Sequence, residues 1–197
     1  MKIFEWEYAT GVNNWCTEIE TIFNDINCSE YFNNKTKCNI DECARRMENE
    51  CIESWNTTRF SKPKLRVYNT FKHAYGTDKY VMNCDKHIRS HIAQIRSGIL
   101  PLNIELGRHN NLAVKDRICN ICDKQEVEDE MHFICNCPAY DNFRNVLYND
   151  MRGVIESFDD CSINDKFNYI MSLCNKNVGR YIVNSFQNRR NLLYKKY

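Results

Sequence analysis

The sequence predicts a mainly α-helical protein, built of helical hairpins and a bundle around one short cysteine- and histidine-rich segment. Three observations carry this. Apolar residues recur at three and four along most of the 197 residues, the spacing of helices buried on one face. Cys119, Cys122, His132 and Cys137 fall in one short window, a compact set of three thiols and one imidazole. With 43% hydrophobic and 12% aromatic residues the chain has enough apolar material for a core, which argues against wholesale disorder.

The first helix spans Val12 to Ile26, with Val12, Trp15, Cys16, Ile19, Ile22, Phe23 and Ile26 on one stripe and Glu18, Glu20 and Asp25 opposite. A second runs from Ile40 to Trp55 with Cys43, Ala44, Met47, Cys51 and Ile52 between them on its apolar face. Together they read as an acidic helical hairpin, residues 1–57, whose apolar faces need a partner. Cys43 and Cys51 read first as core thiols, because free cysteine behaves as a small hydrophobe. Between Thr57 and Lys64 the composition turns basic and Pro63 punctuates it, which sets a boundary there.

Leu65, Tyr68, Phe71 and Tyr75 mark a helix stopped by Gly76, and another covers Asp85 to Ser97. In the latter, Ile88, Ile92 and Ile95 point inward and Lys86, Arg89 and Arg96 outward. Cys84, His87 and His91 share a face of it, but no carboxylate separates the histidines as a metalloprotease helix would require. Gly98 and Pro101 end this helix, and Gly107 leads towards the cysteines. Past them, Phe143, Val146, Leu147 and Met151 form a helix, Ser162 and Asp165 cap the next, and Val178 to Leu193 supply the last, with Arg190, Lys195 and Lys196 near its end. The second segment is residues 58–160, and the third, 161–197, packs back on it.

Charge alternates in blocks beneath a net of +1. Residues 1–57 carry 5 basic and 11 acidic side chains, and residues 58–118 carry 12 and 4. Residues 119–160 then carry 3 and 10, and residues 161–197 carry 7 and 1. The block of +8 with its histidines suits a polyanion, although solvated helix faces have the same composition. Lys86, Arg89, Arg96, Arg108, Lys115 and Arg117 are the cations expected to contact phosphate. Glu126, Glu128, Asp129 and Glu130 would repel it from the loop between the cysteines and the histidine.

The window at 119–137 reads C-x2-C-x9-H-x4-C, the pattern of a small zinc knuckle. A C-x2-C turn presents two thiolates from one backbone corner, and a later His and Cys complete the four soft or borderline donors that Zn2+ takes. Chance pairing of buried thiols is the competing reading in a chain with 12 cysteines. Cys137 is the expected fourth ligand; Cys135, one helical turn after His132, is the alternate. Four protein ligands imply structural metal without an open position. Three sequons, at Asn27, Asn34 and Asn56, and the cysteine content raise a secreted disulfide protein as a rival. However, Glu5 and Glu7 interrupt any apolar signal core, asparagine is frequent (26 of 197), and no stretch is long enough to span a membrane. The expected setting is intracellular, nuclear or cytoplasmic.

Several residues share a familiar order: Leu65, Tyr68, Phe71-Lys72, Tyr75-Gly76, Tyr80, Arg89-Ser90, Arg96, Leu102, Ile104-Glu105, Gly107-Arg108 and Arg117. Cys119-x2-Cys122, Glu128-Asp129-Glu130-x-His132-Phe133, Cys137-Pro138, Tyr140 and Arg144 follow. This run resembles the region downstream of the polymerase in non-LTR (LINE-type) retrotransposon reverse transcriptases, zinc knuckle included. The resemblance covers about 80 residues, and Glu-Asp-Glu-x-His-Phe followed by Cys-Pro is its most specific part. It implies a zinc-binding appendage that helps hold template RNA and target DNA, with Cys119, Cys122, His132 and Cys137 as ligands. Asn120 stands where a proline is frequent, and Cys135 is an additional thiol.

The polymerase itself is missing. Its paired carboxylates would sit in an aromatic-x-Asp-Asp motif holding Mg2+, whereas Phe158-Asp159-Asp160 lacks the intervening residue. A glycine-rich phosphate loop, a Ser-His-Asp order and an endonuclease-like acidic set are also missing. The expectation is therefore a non-catalytic zinc module that binds RNA or DNA. The competing expectations are a structural or protein-interaction zinc module, with a protein partner on its amphipathic helices, and a remnant without function.

Overall fold

The computed structural model describes residues 14–194, which are mainly helical and, among those residues, contain no strand beyond one isolated bridge. The chain divides into two compact units, residues 1–59 and 60–197.

In the first unit, α1 (Trp15–Asp25) starts at Asn14, whose side chain accepts from the backbone of Cys16 and Thr17 while Thr17 bonds back, a reciprocal capping box. After it come the short α2 (Ser29–Asn33) and α3 (Ile40–Ser61). Of the two expected stripes only Cys16, Ile26 and Cys43 are buried. Trp15, Ile22, Ile40 and Met47 stay exposed, since this hairpin offers too little opposing surface to cover them. Val12 lies outside the described residues, as do Lys195 and Lys196. The basic turn at residue 57 does not stop α3, which continues to Ser61; Pro63 then opens a 3-10 turn, Pro63–Arg66.

In the second unit, α4 (Tyr68–Phe71) is one turn long. The helix expected to reach Gly76 ends at Lys72, whose backbone turns extended while its amine reaches back to Gly76 O and Asp78. Next are α5 (Lys79–Asn83), α6 (Lys86–Arg96), α7 (Asn103–His109), α8 (Asp141–Arg152), α9 (Ile163–Leu173) and α10 (Lys176–Tyr194). Ser162 caps α9 as expected, accepting from Asp165 N at 3.2 Å. Asn175 does the same for α10 through the amides of Asn177 and Val178.

Helix α10 packs against α6 and α8, and α9 against α4 and the turn at residues 132–136. Ile92, Ile95, Phe133, Leu147, Met151, Phe167, Ile170 and Ile182 fill the space between them. The expected stripe of α10 is buried at Val178, Tyr181, Ile182, Ser185 and Arg189. That of α8 is buried at Leu147 and Met151, but Val146 faces out, 64% exposed. Gly179 permits the close α6–α10 approach: a Cβ there would lie 2.2 Å from Ile88 Cγ2.

Candidate metal centre

The centre is assembled from a ribbon and a turn. Arg117 and Glu128 begin the ribbon, with Glu128 N donating to Arg117 O at 2.9 Å and Cys119 N to Glu126 O at 2.9 Å around the antiparallel Ile118–Val127 bridge. Left-handed Gln125 (φ 56°) turns the chain between its arms. At the ribbon's tip the C-x2-C corner aims backbone N–H groups at sulfur: those of Ile121 and Cys122 at Cys119, and that of Lys124 at Cys122.

The second pair comes from His132–Asn136, a single π-helical turn in which Cys137 N donates to His132 O at 2.7 Å. An α-helix would stack Cys135 near His132. The wider turn, closing five residues apart, stacks Cys137 there instead and rotates Cys135 away. One donor atom each from Cys119, Cys122, His132 and Cys137 therefore lies within 4.8 Å of every other, a group that could hold a metal ion. Cys135 is absent from this group: buried on the other side of the turn, it meets the Tyr148 hydroxyl, and burial pushes its thiol up to about 11. Cys84, His87 and His91 form no such group; the two imidazoles pack edge to face at 4.6 Å on α6.

The histidine is held at both ring nitrogens and at its backbone. Its Nδ1 lies 2.9 Å from Glu126 Oε2, its Nε2 3.4 Å from Cys122 Sγ, and its backbone N donates to Asp129 Oδ1 at 2.8 Å. A carboxylate on one ring nitrogen leaves the other free as a ligand, the usual arrangement around metal-binding imidazoles. A hydrogen bond from Cys137 holds the Cys119 thiol well below the usual thiol range, and the same bond, with burial, pushes Cys137 up. Burial opposes the charged imidazole, but hydrogen bonding to Cys119 and Glu126 outweighs it and raises His132. Three sulfurs and one imidazole suit a soft or borderline cation in fourfold coordination.

The π turn takes Cys137 N from Phe133 O to His132 O, and Pro138 has no N–H to offer Ile134 O; side chains satisfy these carbonyls instead. Arg144 donates to Ile134 O and Cys137 O and pairs with Asp141, while the Tyr181 hydroxyl donates to Phe133 O at 2.8 Å. The loop carboxylates, expected to repel phosphate, are mostly engaged internally. Glu128 is buried against Arg189, Glu130 is buried and paired with Arg66, and Asp129 caps the turn; Glu126 alone of the four is exposed, at 47%. Hydrogen bonding and ion pairing, which spacing does not reveal, are the reason.

The expected phosphate-binding cations divide. Lys86 and Lys115 are exposed, and Arg89 is half-buried with one N–H on Val81 O. Arg108 spans both states, partly exposed yet paired twice with Glu105 at 2.8 Å. Arg117 turns inward onto Ile104 O and Leu112 O, seated over Gly107, where a Cβ would meet its Cγ at 2.5 Å. Arg96 corrects the expectation outright. It is 2% exposed, pairs with Asp78 at 3.0 Å, donates to Met171 O and lies over the rings of Phe71, Tyr80 and Tyr68. Phe158-Asp159-Asp160 is a 3-10 turn with Phe158 buried and Asp159 held by Arg152. Sequence reasoning missed Arg144, Tyr181 and Arg189 as supports of the centre; their place on the inner stripes of α8 and α10 was the available signal. Among the described residues no helix is long and apolar enough to cross a membrane. Compared with known proteins, the chain matches no family model, no curated protein and no solved structure.

Proposed function

We propose that the chain is a non-catalytic Zn2+-binding module, related to the C-terminal region of non-LTR retrotransposon reverse transcriptases, that binds RNA or DNA. The observation that carries it is the convergence of Cys119, Cys122, His132 and Cys137 within 4.8 Å. Zinc bonds of about 2.3 Å to sulfur and about 2.0 Å to nitrogen set tetrahedral donors roughly 3.5 Å apart, so small side-chain movements close the shell. Lys86 and Lys115, with Arg89 and Arg108 in support, are the cations left to meet phosphate.

The test is anisotropy of a short single-stranded RNA, and of a DNA duplex, titrated with the full chain over a salt series, with zinc and after chelation. Affinity should fall with salt by a slope near 0.7 per neutralised charge on single strands. Lys86→Ala with Lys115→Ala should reduce that slope by roughly one to two charges. Zinc removal should abolish binding by unfolding the knuckle. Salt-insensitive binding or none, in a zinc-loaded sample, refutes the reading.

A second reading, a structural or protein-interaction module, is favoured by the internal use of Arg96 and Arg117. It predicts zinc binding with no RNA or DNA affinity.

A further inference from the structure

A second set of thiols converges in the first unit. Left-handed Asn27 (φ 53°) turns the chain off α1, and Cys28 N closes that turn on Phe23 O at 2.7 Å. Helix α3 grips this turn with two residues of one face: Arg46 donates to Asn27 O at 2.6 Å, and Cys43 Sγ lies 3.9 Å from Cys28 Sγ. Cys28 is fully buried and Cys43 nearly so, with Ile26 beside them, and half-buried Cys38 packs against the same cluster along with Phe23 and Tyr31. Cys16 is buried too, but it lies in the first turn of α1, and about 14 Å of helix separates it from the turn that carries Cys28.

We propose that Cys28 and Cys43 form an oxidisable pair, closed to a disulfide by hydrogen peroxide, with half-exposed Cys38 as the thiol that meets the oxidant. The sulfurs of the pair, 3.9 Å apart, need to close by about 2 Å to reach the S–S bond length of about 2.05 Å. Burial pushes Cys43 up to about 11, which makes it a poor first attacker and leaves that role to the accessible thiol.

The steps balance. The Cys38 thiolate attacks one peroxide oxygen; the O–O bond breaks, leaving a sulfenic acid and, after proton uptake, water. Cys43 sulfur displaces the sulfenic hydroxyl, which departs as a second water with the Cys43 proton, and a Cys38–Cys43 disulfide forms. Cys28 then attacks Cys43 sulfur, and Cys38 leaves and takes up the Cys28 proton. Overall two thiols lose two electrons and two protons, and the peroxide is reduced to two waters. The product ties the α1–α2 turn covalently to α3.

The experiment uses the full chain loaded with zinc, which shields the knuckle thiols. After hydrogen peroxide, the chain is denatured in alkylating agent so that buried free thiols react, and peptides are mapped by mass spectrometry with and without reductant. A Cys28–Cys43 cross-linked peptide is expected, lighter by two hydrogens and lost on reduction. Cys43→Ser should abolish it, Cys28→Ser should accumulate the Cys38–Cys43 linkage, and Cys38→Ser should slow closure severalfold. The wild-type map decides even if a variant fails to fold. The proposal is overturned if Cys28 and Cys43 remain alkylatable once exposed Cys51 is oxidised. It is equally overturned if metal analysis finds a second zinc per chain that Cys28→Ser releases, since the thiols would then be ligands.

Discussion

Arg189 on α10 holds Glu128 of the ribbon at residues 117–128 in a two-point ion pair, Nε to Oε1 at 2.7 Å and Nη2 to Oε2 at 2.6 Å, with both residues buried. Glu128 also accepts Asn103 N at 2.8 Å, and its carbonyl accepts Ile104 N at 3.0 Å, so one residue caps α7 from a remote segment. The last helix, the ribbon and α7 therefore share one buried charge pair.

Breaking that pair should be costly. Arg189→Met leaves Glu128 buried and unpaired and should destabilise the second unit by about 3–5 kcal/mol in denaturant unfolding. Arg189→Met with Glu128→Gln should recover part of this, because the stranded charge is gone. Equal losses for the single and double variants would show that packing, not charge, is what the pair supplies.

The π turn makes a sharp distinction between two neighbouring thiols. If the centre holds zinc as proposed, Cys137→Ser should reduce it from one per chain to none and unfold residues 117–137, as loss of a structural ligand does. Cys135→Ala should keep full zinc and lose only the packing and hydrogen bond at Tyr148, about 1–2 kcal/mol. Metal analysis with thermal unfolding checks both; zinc lost with Cys135→Ala and kept with Cys137→Ser would invert the assignment.

Gly179 sits where α10 meets α6, and an added Cβ would fall 2.2 Å from Ile88 Cγ2 and 3.0 Å from Ile92 Cδ1. Alanine gains helix propensity of about 1 kcal/mol but overpacks by roughly 1–3 kcal/mol. Gly179→Ala should therefore lower the unfolding midpoint, and Ile88→Ala in the same chain should relieve part of the clash. A raised midpoint for the single variant would mean that the helices separate at little cost.

Acid should weaken a second junction. Hydrogen bonds from Arg108, opposed by burial and aided by Lys64 at 3.0 Å, hold the Glu105 carboxyl at about 2, against 4.5 for an ordinary glutamate. A carboxyl depressed by folding stabilises fully above its unfolded value and loses that contribution as pH falls through its folded one, here from about 4.5 towards 2. Lys64 and Arg108 are each over 40% exposed, so solvent screening limits the contribution to about 1–2 kcal/mol. Denaturant midpoints measured at pH 7 and pH 3 should differ more in the wild type than in Glu105→Gln. Equal acid sensitivity would show that other groups carry the acid response.

The sequence by itself determined the helical class, the longer helices and the ligand spacing, because these depend on period and on residues near in the chain. Ile92, Ile95, Val178 and Ile182 could be read as inward from their three-and-four spacing, and Ser162 as a cap from its neighbour Asp165. Tertiary structure alone decided between Cys135 and Cys137, since that choice depends on whether the turn closes four or five residues apart. It also decided which charges meet solvent. Arg96 finds Asp78 and Met171, Arg189 finds Glu128, and Arg66 finds Glu130, partners 18 to 75 residues away. Ion pairing over such separations has no period, so a cation on a basic helix and a cation in a core look alike until the chain is folded.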